Sequence, residues 1–291
     1  MKEITRLLFH IQHCRGIGLK GTKLLMSRLS NPSMIYELSP ASIQQLSQST
    51  SSNAQLFHRD LHTLPIHEYE EHYRRNDIHW ISLYDKEYPE LLKMVYDPPF
   101  ILFLKGKKEL LHFPRKLAVV GSRQATPYSE ENLRELMPGL AEKNIVIVSG
   151  LARGADTMAH KAAIRSSGQT IGVIAGGFEH IYPSENLQLA EYMMKHQLLI
   201  SEYPPSTKPQ KWQFPFRNRI ISGLSDAVLV TEAQKQSGTY ITADYALNEG
   251  REILCIPGSV HHKLSEGTNL LIKEGAKMVL SIEDIFFELN V

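Results

Sequence analysis

The chain has 291 residues, 42% of them hydrophobic, enough for a substantial core and comfortably for two domains. Lysine plus arginine number 32 and aspartate plus glutamate 31, so bulk charge carries no nucleic-acid signal and any anion site must come from local arrangement. No apolar run reaches the ~20 residues needed to cross a bilayer, no signal-peptide core opens the chain, and Cys14 and Cys255 lack metal-ligand spacing, so a cytoplasmic protein with free thiols, no bound metal and no membrane insertion is expected.

Residues 1–75 read as helical, with Ile4, Leu7, Leu8 and Ile11 on one helical face. The turn Gly16–Ile17–Gly18 lies between two helical patterns. It suits either a helix–hairpin–helix that presents backbone N–H groups to phosphate or a tight interhelical turn without a ligand. Ser39–Pro40 looks like a helix start, and residues 44–53 are polar, a mobile loop or a helix end. His58, His62, His67 and His72 lack a completing Cys or carboxylate, which favours a solvated helix face over a metal site. Near residue 78 the texture changes, and a domain boundary is placed at about residue 77. Strands are expected at 78–83 and 100–104, separated by the break Asp97–Pro98–Pro99.

From Leu117 onward strands and helices alternate. Strands are expected at 117–121, 145–149, 170–175, 197–201, 226–231, 252–256 and 277–280. Helices are expected near 128–143, 155–166, 184–196, 213–223, 238–249, 266–274 and 282–289, the first bent or shortened at Pro138. This alternation argues an α/β fold with a doubly wound, mainly parallel sheet. Leu270–Ile272 and Met278–Leu280 suit either core or an interface.

The chemistry-bearing residues cluster at strand ends, where open α/β sheets bind ligands. The first junction is Gly121–Ser122–Arg123, with a hydroxyl and a planar guanidinium suited to phosphate; the alternative is a surface ion pair. The second holds Gly150, Arg153 and Gly154 before a helix whose first N–H groups can face an anion. Asp156 there is a cap or dipole partner, and His160 is structural. The third, Gly176–Gly177–Phe178, suits close approach and base stacking, or core packing, as does Tyr182. Arg217, Asn218 and Arg219 follow Phe214 and Phe216, with Lys208 and Lys211 upstream. This basic–aromatic cluster is the main physical hint of nucleic acid; one arginine can hold phosphate while the other anchors the loop. Ser237–Gly238–Thr239 offers phosphate donors at another helix start. Neither the dinucleotide fingerprint nor the Walker A pattern is present, so no cofactor is expected. Glu232 is a lone carboxylate and weak evidence for a base.

An ordered series of motifs resembles the DprA/Smf family, DNA-processing proteins of natural transformation. It comprises Asp85–Pro89, Asp97–Pro99, Gly121–Arg123, Ser149–Asp156, Gly176–Asn186, Ser201–Pro205, Arg217–Val230, Ser237–Ala246, Ile256–Gly258 and Gly267–Ala276. The resemblance covers about residues 80–280. It implies a helical, SAM-like domain over 1–77 and an extended Rossmann-like domain over 78–291 that binds single-stranded DNA without marked sequence preference. It further implies protection of incoming DNA, loading of the RecA recombinase for homologous recombination, homodimers, and other competence and single-strand-binding proteins as partners. By position, Arg123 becomes a principal phosphate contact. Gly121, Ser122, Gly150, Arg153, Gly154, Gly176, Gly177 and Phe178 line the strand-end pocket, and Arg217, Asn218 and Arg219 fall in the family's RNR segment. Ala155, Phe216 and Thr239–Tyr240 depart from the usual pattern, which bears on fine pocket geometry. The winged-helix-like carboxyl-terminal domain of many relatives is expected to be absent. Two rival readings stand beside this one. The first is a nucleotide-processing enzyme of phosphoribohydrolase type using Glu232; the second is a pure interaction scaffold.

Overall fold

The computed structural model describes residues 2–235 and 237–291. The chain divides into two compact units. The first runs to Tyr88 and takes in Pro99–Phe103 and Glu202–Pro204. The second holds Pro89–Pro98, Leu104–Ser201 and Pro205–Val291.

The first unit contains α1 (Glu3–His13), α2 (Leu19–Arg28), α3 (Pro40–Ser47), α4 (Ser51–Thr63), α5 (Ile66–Arg75) and β1 (Ile78–Ser82). Two hydroxyl caps organise its polar middle. Ser39 Oγ accepts from the Ser42 amide and Thr50 Oγ1 from the Asn53 amide, so the 44–53 stretch is one helix end and the next helix start. Leu7, Ile11, Leu25, Ile43, Phe57 and Leu61 close the helical core. Gly16 sits at φ +93°, where an added β-carbon would stand 2.3 Å from the Asn53 carbonyl oxygen. Beside it the Arg15 guanidinium forks onto buried Asp60 at 2.7 and 2.8 Å. The Gly16–Gly18 turn is therefore clamped to α4. The Phe9 ring stacks on Trp80 with centroids 4.4 Å apart.

Next come α6 (Glu90–Lys93) and β2 (Ile101–Gly106), whose first half belongs to the first unit and second half to the other. Then β and α alternate: β3 (Lys116–Val120), α7 (Pro127–Glu142), β4 (Val146–Ser149), α8 (Ala155–Arg165), β5 (Thr170–Ile174), α9 (Leu187–His196) and β6 (Leu198–Ser201). They continue with α10 (Gln213–Gly223), β7 (Ala227–Val230), α11 (Gly238–Asn248), β8 (Glu252–Cys255), α12 (Lys263–Lys273), β9 (Lys277–Met278) and α13 (Ile282–Leu289). From β6 to β9 the order is β6-β5-β4-β3-β7-β8-β9, and each of these pairings is parallel. Strands β3 to β7 are buried along their whole length, which is why they read as unbroken apolar runs.

Leu117 and Val119 of β3 share a core cluster with α7, α8 and α13, while α10 and α11 pack together on the other face. The chain leaves β3 for β4 on one side and returns to β7 on the other, which makes the carboxyl end of β3 the switch point. Helix α7 is not shortened at Pro138, because Leu133, Leu136, Met137 and Leu140 are buried and hold it to the sheet. Two expectations are corrected. The helix expected from 184 starts as a 3₁₀ turn over Ser184–Asn186. The last strand is only Lys277–Met278; Val279 is buried, and Met278 and Leu280 are exposed.

Candidate nucleic-acid interface

The loop after β3 is held by main-chain bonds. The Ser122 amide donates to the Glu232 carbonyl at 2.7 Å, and the Ala155 amide donates to the Ser122 carbonyl at 3.1 Å. Gly121 is required because a β-carbon would meet Thr231 Oγ1 at 2.6 Å and Ala155 Cβ at 2.7 Å. Gly154, at φ +70°, leaves room for the Ser122 carbonyl, 2.3 Å from where its β-carbon would be. So fixed, the loop presents Arg123 outward. Its guanidinium carbon lies 5.9 Å from the Phe214 ring centroid, no carboxylate stands within ion-pair distance of it among the described residues, and its charge is felt by buried Asp156 in the same cleft.

Arg123 stands on the wall of a cleft of about 480 Å³ at the switch point. Ser122, Asp156 and Asn218 share the lining with it, and the start of α11 (Gly238 and Thr239) lines the same cleft. The cleft thus combines an unpaired cation with a helix N-terminus, both suited to a phosphate. Phe214 lines the cleft, and the Tyr182 ring, 58% exposed, meets Phe214 edge-on at 5.4 Å.

The Arg217–Asn218–Arg219 segment splits by burial. Arg217 is 5% exposed and donates to the carbonyls of Gly150 and Val173. Its guanidinium occupies the space a side chain at Gly150 would need. Burial lowers its pKa to about 10, against the opposing pull of buried Asp156. Burial in turn raises the Asp156 carboxyl, and Arg217 acts the other way. Arg217 is thus a charged floor of the cleft, tied to the ends of β4 and β5. Asn218 Oδ1 accepts from Arg217 Nε at 3.1 Å. Arg219 is 2% exposed and lies 3.9 Å over the Phe216 ring, inside the unit.

The remaining expected residues lie elsewhere. Arg153 forks onto Glu185 at 2.7 Å through both nitrogens and lines a different groove. Gly176 and Gly177 are tied within the second unit: Ser201 Oγ donates to the Gly176 carbonyl and the Gly177 amide donates to the Thr207 carbonyl. Phe178 is 6% exposed, so its ring is packed rather than offered for stacking. Glu232 is 1% exposed and lies outside the lining of the cleft. Its carboxylate accepts from the Thr126 amide, Thr126 Oγ1 and Ser129 Oγ at 2.7, 2.8 and 2.8 Å, latching the amino end of α7. Sequence reasoning passed over Trp212, 61% exposed beside Lys211 and 6.2 Å from Phe216. An aromatic next to a lysine was the available signal.

A family model described as DNA recombination-mediator protein A matches residues 79–290. This chain belongs to that family. It is 52% identical over 217 residues to the DNA processing protein DprA of Bacillus subtilis, covering 75% of this chain and 73% of that protein. A solved structure of DprA from Streptococcus pneumoniae superposes with a TM-score of 0.84 at 36% identity, covering 99% of both chains. A Helicobacter pylori DprA structure, described as showing a single-stranded DNA binding mode, gives a TM-score of 0.65 at 30% identity, covering 72% of this chain and 95% of that one. The family's Rossmann-like, mainly parallel α/β fold is the fold seen here. Among the described residues no helix is long and apolar enough to cross a membrane.

Proposed function

We propose that this recombination-mediator family member binds single-stranded DNA in the cleft at the carboxyl end of β3. The observation that carries the reading is Arg123, an exposed cation with no carboxylate within ion-pair distance among the described residues, lining one cleft with the start of α11. Arg123 and the N–H groups at Gly238 and Thr239 hold phosphates, while Phe214 and Tyr182 offer ring surface to bases. Ring stacking and phosphate binding are both sequence-tolerant, which suits binding without sequence preference. The Helicobacter pylori relative supports the choice of ligand. Arg217 forms the buried floor beneath the strand, and Arg219 is a scaffold residue. As family resemblance implies, the protein acts as a homodimer in the cytoplasm, shields incoming DNA and loads the RecA recombinase, without catalysis or a cofactor.

The test is a salt titration of single- and double-stranded DNA binding by the native chain and Arg123→Ala. Each phosphate that is no longer neutralised lowers the slope of log K against log salt by about 0.7 for a single strand. The expected result is weaker single-strand binding with a slope shallower by at least that amount. Unchanged affinity and slope in Arg123→Ala would overturn the site assignment.

A further inference from the structure

Gly154 has a second role. The Ser122–Arg123 main chain rests against it, and Gly154 also lines a second groove of about 480 Å³. The loop before α8 therefore stands between the two clefts as a common wall: Ala152 lines the first, and Arg153 and Gly154 line the second.

The second groove runs between α7 and α8 and is basic. Arg134 comes from α7, Lys161 and Arg165 from α8, and Arg153 from the loop before α8. All four are exposed. Two acids stand against them: Glu185 takes Arg153, and Glu130 lies 3.5 Å from Arg165. Arg134 and Lys161 have no carboxylate partner among the described residues. In a chain whose total charge is +1, two unpaired cations in one groove are a local concentration of charge. Half-buried Met158 lines the groove beside them. Lys161 and Arg165 are one helical turn apart on α8, about 5–6 Å between β-carbons, a spacing a flexible phosphodiester can follow.

We propose that this groove continues the track of the same DNA strand, so that a strand held at Arg123 crosses the shared wall and lays further phosphates against Arg134 and Lys161. The proposal rests on the single-strand reading of the first cleft. An acidic protein segment is the competing occupant. The shared wall favours DNA, because its consecutive residues line both clefts, Ala152 the first and Arg153 and Gly154 the second, so a strand leaving the first cleft meets the second groove across a single loop.

The experiment uses the full chain and two oligothymidylates, of about 4 and about 16 nucleotides, the bounds of common single-strand site sizes. Binding is followed by fluorescence anisotropy across a salt series. Arg134→Ala with Lys161→Ala is expected to leave the short oligonucleotide bound as in the native chain. On the long one it should weaken binding and lower the salt slope by about 1.4, two phosphates at about 0.7 each. Glu185→Gln, which releases Arg153, is expected to strengthen binding of the long oligonucleotide alone, a gain that misfolding cannot produce. Native-like binding of the long oligonucleotide by the double variant overturns the proposal and leaves the groove to an acidic protein partner; equal weakening at both lengths also overturns it. Arg123→Ala, run in parallel, separates the two readings. If it weakens neither length, the first-cleft reading fails; if it weakens both while the double variant weakens neither, only the second groove fails.

Discussion

Glu232→Gln separates a structural carboxylate from a catalytic one. In the native chain the carboxylate accepts three bonds of 2.7–2.8 Å from Thr126 and Ser129 at the amino end of α7. A glutamine keeps one oxygen, able to serve the Thr126 amide and Ser129, and turns its amide nitrogen toward the Thr126 hydroxyl, which can accept. What is lost is charge. Bonds to charged groups contribute about 1.5–3 kcal/mol against about 1 for neutral ones, so two retained bonds weaken by roughly 2 kcal/mol together. The favourable charge at the helix N-terminus adds about 0.3–1 kcal/mol, more when partly buried. The total is about 2–4 kcal/mol, and at roughly 2–4 °C per kcal/mol for a domain of this size the thermal midpoint should fall by about 4–16 °C. Because the Glu232 carbonyl also receives the Ser122 amide, single-strand affinity should fall as well. The assay is differential scanning calorimetry beside release of free base from nucleoside monophosphates. An unchanged midpoint together with base release that disappears in Glu232→Gln would refute this reasoning and restore the enzyme reading.

Other outcomes follow from the same geometry. Gly154→Ala places a β-carbon 2.3 Å from the Ser122 carbonyl at φ +70°; backbone strain alone costs about 1–3 kcal/mol, so urea melts should show a clear drop and both DNA lengths should bind less tightly. Native stability in that variant would contradict the packing described. Trp212→Ala should weaken single-strand binding by about 1–3 kcal/mol if the ring stacks a base, with the salt slope unchanged, because no charge is removed. The pH dependence has a defined sign. Burial lowers His13 from 6.5 to about 4, and burial and then Arg217 lower His160 to about 3. Unfolded, both titrate near 6.5. Between those values the unfolded chain binds more protons, so stability rises with pH there and is lost as pH falls from about 6.5 toward 4. Two such groups give up to about 2.7 kcal/mol per pH unit near pH 5. Equal denaturation midpoints at pH 7 and pH 5 would exclude it.

The sequence by itself determined the α/β alternation and the strand-end glycines. Strands buried on both faces must be apolar throughout, and a turn with no space for a β-carbon admits only glycine, so Leu117–Val120 and Gly121 announce themselves in one dimension. The motif series announced the family in the same way. Burial, by contrast, is a property of three dimensions. Arg123, Arg153, Arg217 and Arg219 look alike as letters. Folding leaves Arg123 exposed and unpaired, ties Arg153 to Glu185 thirty-two residues away, and sinks Arg217 and Arg219 into the interior. Whether a guanidinium meets solvent, a carboxylate or two carbonyl oxygens depends on which strand ends are neighbours, and the crossing from β6 to β7, which seats β7 beside β3, settles that. Only the tertiary structure likewise decided what Glu232 holds, because its three donors come from Thr126 and Ser129, more than a hundred residues earlier.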